Sequence, residues 1–274
     1  MKKIRFASPT FIVRNECHED LFGVLEKLSD IGFDGTELIG LFGRDAKDIR
    51  KKADSLSGFQ IMGNHMSTLM FSEEPEKTID DHQTLGCEYI TLTCSVQEIN
   101  EFGFDVLAEK LLFCAEKTRE AGMIPLYHNH GYEYIGEKGK AFMDTLIERY
   151  GGKELLIEPD IGWMMYAGRD PFEFLKMHKD KCPVLHLKDI YADDLSVLRA
   201  DSPPNPEAER DPNNGGFCFR PTGYGIVNFP KLIPLCLDCK PDWIIPDHDL
   251  AYGRDSFAEL KMSLEYTKSI MGFY

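Results

Sequence analysis

The stretch LLIEPDIGWMMYAGRDPFEFLKMHKDKCPVLHLKDI, residues 155–190, decides the fold. Its two ends, LLIEPDIG and PVLHLKDI, are short apolar runs of the kind that form buried strands, and the segment between them is long enough for a helical crossover. A strand, a crossover and a second strand make a parallel pair, because a tight turn reverses the chain and only a longer connection returns it to the starting edge. Working outward, the same kind of run recurs as IRFAS, FDGTELIG, FQIMGNHMS, CEYITLTC and MIPLYHNH on the N-terminal side and as WIIPDHD on the C-terminal side. That makes eight candidate strands.

Between the runs lie segments with apolar residues three and four apart, such as Leu21, Val24, Leu25 and Leu28, or Leu107, Leu111, Leu112 and Ala115, which predict helices. Gly32, Gly86 and Gly122 each stand between such a segment and the next strand, where a left-handed cap ends a helix. Eight strand and helix units at a spacing of about thirty residues predict an α/β fold closed as a (β/α)8 barrel, with a doubly wound sheet as the alternative. The expected organisation is a single domain over residues 1–274, interrupted by one long loop at about 192–225 that is rich in Pro, Asn, Asp and Gly.

Composition narrows the function. A net charge of -15 disfavours a phosphate-backbone partner, which clustered Lys and Arg would have to hold. The N-terminal MKKIRFASPTFIVRN has no apolar core of a secretion signal and reads as a first strand, so a cytoplasmic location is expected. No apolar run is long enough to span a membrane. The eight cysteines sit mostly in apolar strand or helix runs and are expected to be reduced and buried, and the lone C-x-x-C of Cys236 and Cys239 lacks a second pair for zinc.

Polar residues fall late in the strands: Glu37 in the second, His65 in the third, His128 and His130 in the fifth, Glu158 and Asp160 in the sixth, His186 and Lys188 in the seventh, Asp247 and Asp249 in the eighth. Strand ends of this kind carry the active site of a (β/α)8 barrel. Each residue taken singly has a structural reading: Glu37 as a helix cap, His65 as a core histidine, Lys188 with Asp189 as a rim ion pair. Burying so many ionisable groups together is costly without a cation or a polar ligand. His128, Asp160, His186 and Asp247 form a mixed nitrogen and oxygen set that suits Mn, Zn, Co or Fe, where an all-oxygen set favours Mg or Ca.

The chain resembles the sugar phosphate isomerase/epimerase family, the xylose-isomerase-like barrels that include sugar epimerases and inosose dehydratases. The resemblance covers nearly the whole chain. It is most specific in residues 157–189, similar to the family's Asp-x-x-Trp, Ala-Gly-x-Asp-Pro and His-Leu-Lys-Asp segments, and extends to GFDGTELIG, YHNHGYEY, GYGIVNFP and WIIPDHD. The resemblance implies one divalent metal ion, manganese first with Zn, Co, Fe or Mg as alternatives. It carries Asp160 and His186 over as ligands. The family's strand-five glutamate falls on His128 and its strand-eight glutamate on Asp247, two departures that bear on both metal binding and proton transfer.

The implied function is a metal-dependent isomerase or epimerase that acts on a sugar or keto-sugar through an enediolate. Asp247, His128 and Glu158 are the candidates for acid and base, and Glu37, His65, His130, Glu133, Trp163 and Lys188 for substrate binding. A dehydratase of a keto-sugar or inosose and a non-catalytic sugar-binding barrel are the alternatives. Endonuclease IV, which shares the barrel but binds DNA, is disfavoured by the acidic charge. The expected partner is thus a small sugar or polyol, with neither nucleic acid nor membrane, and self-association into a homo-oligomer stays open.

Overall fold

The run IRFAS forms the first strand, β1 (Arg5–Pro9), and the alternation read from the sequence continues from it. The computed structural model describes residues 3–134, 142–194, 209–210 and 215–272. They fall into two compact units, one of Ala7–His128 with Thr145–Ile157, the other of Met1–Phe6, Asn129–Asp144 and Glu158–Tyr274.

The first unit contains α1 (Arg14–Ile31), β2 (Gly35–Leu38), α2 (Ala46–Ser55), β3 (Gln60–Ser67), α3 (Thr68–Glu73), α4 (Pro75–Leu85), β4 (Tyr89–Thr93), α5 (Val96–Glu120) and β5 (Ile124–His128). Its strands pair in sequence order, all parallel. Helix α1 buries Leu21, Val24, Leu25 and Leu28, the stripe expected from their spacing, and Gly32 ends it at φ 102° with its N–H on the carbonyls of Leu28 and Ser29. Gly86 caps α4 in the same left-handed conformation. The pairing of β2 with β3 slips between Thr36 and Glu37, which sets Glu37 beside Gly63. A side chain at Gly63 would come within 3.2 Å of the Tyr89 carbonyl oxygen on β4, a tight contact that glycine avoids.

After α6 (Phe142–Tyr150) and β6 (Leu156–Glu158), the second unit continues with α7 (Ile161–Tyr166), α8 (Pro171–His178), β7 (Val184–Tyr191), β8 (Cys218–Arg220), α9 (Phe229–Asp238), β9 (Trp243–Asp247) and α10 (Ser256–Met271). Strand β9 is the eighth run of the sequence reading. It pairs in parallel with β7 and with Arg5 and Phe6 of β1. Aspartates begin three of this unit's helices: Asp160 caps α7, Asp170 caps α8 ahead of Pro171, and Asp255 caps α10. Leu187 and Ile190 of β7 are buried, each contributing about 1.5–3 kcal/mol of hydrophobic stabilisation.

Two local expectations are corrected. The excursion at 192–225 is not loop throughout: Cys218–Arg220 form β8, antiparallel to the end of β7, while residues 195–208 and 211–214 lie outside the described residues. Lys188 and Asp189 do not form a rim pair. Adjacent residues on a strand point to opposite faces, and the buried Asp189 carboxylate accepts the N–H groups of Gly223, Gly225, Val227 and Ile190, pinning the chain that leads into α9. All eight cysteines are free and buried.

A carboxylate, histidine and lysine cluster as candidate metal site

In the second unit, Glu158 ends β6 and Asp160 follows it into the turn that starts α7. A single parallel bridge sets Asp160 beside His186 of β7, and the β7–β9 register sets Lys188 beside Asp247. Four side chains from three separate segments are thereby neighbours, and all are buried.

His186 lies between two carboxylates: Nε2 is 2.9 Å from Glu158 Oε1, and Nδ1 is 3.0 Å from Asp247 Oδ2. The Lys188 ammonium lies 2.7 Å from Asp160 Oδ2, 2.9 Å from Asp247 Oδ2 and 2.8 Å from Asp249 Oδ1. Asp160 is held a second way, its Oδ1 accepting the Trp163 N–H at 2.9 Å as the cap of α7. The Asn129 side-chain oxygen accepts the Asp160 backbone N–H at 3.1 Å, so the ligand-bearing backbone is fixed from both sides.

The electrostatics follow from burial and charge. Burial pushes the Asp160 carboxyl up to about 6, with Lys188 pulling it down and Asp247 adding to the rise. Burial also opposes ionisation of Asp247, but Lys188 and His186 outweigh it and hold that carboxyl well below the usual carboxylate range. Lys188 is itself disfavoured by burial as a cation, yet the three aspartates keep it charged well above the ordinary lysine range.

Asp160, His186 and Asp247 each offer one ligand atom, and these atoms lie within 4.8 Å of one another. Asp247 Oδ1 is buried and has no hydrogen-bond partner among the described residues. An unsatisfied carboxylate oxygen beside an imidazole and a second carboxylate is a good fit for a divalent cation. If either ring nitrogen of His186 ligates, the other keeps a carboxylate partner, the arrangement that orients metal-bound histidines.

Around this cluster, Trp163 and Tyr252 pack against a buried group that includes Tyr166, Phe217 and Phe219, and the Trp163 Nε1 is buried with no partner among the described residues. The His130 ring is 6.0 Å from Trp163 and stacks on Tyr132 at 5.0 Å. Glu133, expected to face a substrate, is fully buried and turned back, its Oε2 accepting the His130 N–H at 2.8 Å. Lys188, expected in the same role, has its ammonium engaged by carboxylates.

The other candidates lie in the first unit. Buried Glu37 accepts the Thr91 hydroxyl at 3.0 Å and pairs with His65 Nε2 at 2.9 Å. The His65 ring packs 4.6 Å from that of His128. The helix-cap reading of Glu37 does not hold, since Asp45 caps α2. The sequence reading names Asp249 only among the late polar residues and gives Asn129 no role. The two-residue spacing from Asp247 marks Asp249 as facing the same way, whereas nothing local to Asn129 marks it as the support of Asp160.

The family model of the xylose isomerase-like TIM barrel matches residues 25–248 of this chain. Among curated proteins, the chain is similar to an inosose dehydratase of Geobacillus kaustophilus (strain HTA426), 24% identical over 203 residues that make up 65% of each protein. The match therefore spans just under two thirds of that relative's length. Among solved structures, a sugar phosphate isomerase/epimerase from Parabacteroides distasonis ATCC 8503 superimposes with a TM-score of 0.73 at 19% identity, covering 96% of this chain and 97% of the other. The IOLI protein, solved with a zinc atom bound, superimposes with a TM-score of 0.71 at 13% identity over 99% of each chain. Such identities establish the fold, and the fold is the (β/α)8 barrel of xylose-isomerase type expected from the sequence.

Proposed function

Because this chain belongs to the xylose isomerase-like TIM barrel family, we propose that it is a metal-dependent enzyme that removes a proton from the carbon beside the carbonyl of a keto-sugar or inosose. The observation that carries this reading is the buried convergence of Asp160, His186 and Asp247, with Asp247 Oδ1 unsatisfied. These three residues would hold a divalent ion, manganese or zinc by the chemistry of the donor set. When bound, such an ion polarises the substrate carbonyl and stabilises the charge that develops on its oxygen.

The chain's own residues divide the remaining work. Asp247, held strongly ionised, is a poor proton acceptor and suits the ligand role. Glu158 is the proposed base, a buried carboxylate oriented by His186 at 2.9 Å. Trp163 Nε1, a buried donor, is proposed to hold a substrate hydroxyl, and the His130 ring beside it is placed to do the same.

Proton removal next to the carbonyl produces an enediolate. Loss of a β-hydroxyl from it is dehydration, and return of the proton to the other carbon or the other face is isomerisation or epimerisation. Dehydration is the favoured outcome, supported by the inosose dehydratase relative. Isomerisation or epimerisation is the second reading, supported by the Parabacteroides neighbour. Incubation with inososes and ketoses in deuterium oxide tests both. Solvent deuterium is expected on the carbon beside the carbonyl, with an unsaturated or diketone product for a dehydratase and a labelled isomer for the alternative. Glu158→Gln should slow the exchange at least about 100-fold if Glu158 is the base. No exchange on a broad panel of metal-supplemented substrates would leave a sugar-binding barrel.

A further inference from the structure

On the reading that Asp160 and Asp247 hold a divalent ion, we infer that Lys188 is a built-in counter-cation that competes with that ion for the charge of the same two carboxylates. Its ammonium is within 2.7 Å of Asp160 Oδ2 and 2.9 Å of Asp247 Oδ2, and both oxygens belong to the candidate ligand residues. The lysine neutralises the cluster when no metal is bound, and metal binding loosens its hold.

A lysine placed this way can act in two opposite directions. It can orient the ligands, in which case its removal weakens metal binding, or it can occupy their charge, in which case its removal strengthens it. The hydrogen bonds decide between the two. Asp160 is oriented without Lys188, through the Trp163 N–H on Oδ1 and through Asn129 on its backbone N–H. Asp247 is oriented by His186 Nδ1 at 3.0 Å. What Lys188 alone adds is a full positive charge within hydrogen-bond distance of both ligand carboxylates, in a buried place where like charges repel strongly.

The structure also provides for the lysine once it is loosened. Asp249 Oδ1, 2.8 Å from Nζ, lies outside the candidate ligand set and can retain the ammonium. The Trp163 ring, with its centroid 5.6 Å from Nζ, gives a cation a second favourable surface. Gly162 leaves room for the lysine stem: a side chain there would come within 2.9 Å of Lys188 Cγ and of its carbonyl oxygen. The stem is therefore wedged against α7 while the ammonium exchanges partners.

The test compares wild type with Lys188→Met, both stripped with chelator, by zinc calorimetry and by thermal melting with and without zinc. Lys188→Met is expected to bind zinc at least about tenfold more tightly than wild type. It should also melt lower without metal and gain more on saturation. Equal or weaker zinc binding by the variant overturns the inference and makes Lys188 an orienting residue. A variant that folds only with zinc supports it, and one that stays unfolded in saturating zinc overturns it, because the ion then cannot replace the ammonium. A wild-type protein that takes up no zinc or manganese, yet still exchanges deuterium into substrate, removes the metal reading while leaving the enolising activity in place.

Discussion

Replacing Asp247 with asparagine separates its ligand role from its structural one. Asp247 Oδ2 meets both His186 Nδ1 at 3.0 Å and Lys188 Nζ at 2.9 Å, while Oδ1 has no partner among the described residues. Asparagine can present its carbonyl oxygen to those two donors and place its NH2 where Oδ1 was. Removing the only partner of a buried ion costs about 3–5 kcal/mol. Lys188, however, keeps Asp160 at 2.7 Å and Asp249 at 2.8 Å. The loss is then that of weakened charge-assisted hydrogen bonds, about 1.5–3 kcal/mol, reduced by the relief of repulsion among the carboxylates. Metal binding should suffer more. Loss of a residue behind a ligand costs 10- to 100-fold in affinity, so loss of a ligand charge should cost at least about 100-fold.

The pH dependence follows from the depressed Asp247 carboxyl. A group whose folded pKa lies below its unfolded value of about 3.9 contributes its full stability above that value and loses it as pH falls further. Asp247 itself therefore adds no pH dependence between about pH 5 and pH 8, but it also adds to the rise of the Asp160 carboxyl to about 6, so the gap in stability between wild type and Asp247→Asn should narrow as pH rises through that value. Urea denaturation of the chelated proteins at the two ends of the range measures the gap, and zinc calorimetry measures the affinity. A zinc affinity within about threefold of wild type would show that the Asp247 charge is not a ligand. A stability loss beyond about 5 kcal/mol would show that Lys188 depends on Asp247 rather than sharing three partners.

His186→Ala should remove most of the metal that wild type is expected to carry at about one divalent ion per chain, and elemental analysis of the two proteins checks it. His82 is buried, with Nδ1 2.6 Å from the Thr78 carbonyl oxygen and Nε2 3.2 Å from the Asn64 amide nitrogen, and burial lowers its pKa. Its neutral form is the stable one, so stability should be full above about pH 6.5 and fall as the unfolded chain takes up the proton below it; His82→Gln should flatten that part of the urea-derived profile, and an unchanged slope would rule the histidine out. Asp189→Ala strips the acceptor from four buried or half-buried N–H groups and should cost about 2–4 kcal/mol, with faster hydrogen exchange at Gly223, Gly225 and Val227. A loss under about 1 kcal/mol would mean that these amides find other partners.

The strands and helices were legible in the sequence because they depend on local pattern. The stripe of Leu21, Val24, Leu25 and Leu28 and the left-handed Gly32 and Gly86 are properties of short segments, and the structure places them as read. Asp160, His186 and Asp247 were legible as candidates for a similar reason, since late positions on parallel strands share one end of the sheet. What tertiary structure alone decided is which polar group meets which. Lys188 stands beside Asp247 because of the β7–β9 register, and Asp160 beside His186 because of one bridge, and neither alignment is encoded in the neighbouring residues. Nor does the local sequence reveal that Asp189 closes on the N–H groups of Gly223 to Val227, or that Glu133 turns back onto His130 instead of outward. A hydrophobic pattern is summed over many residues and survives small shifts in alignment, whereas an ion pair at 2.7 Å between Lys188 and Asp160 exists in only one register. The chemistry proposed for this protein rests on that register, through Lys188 and the carboxylates around it.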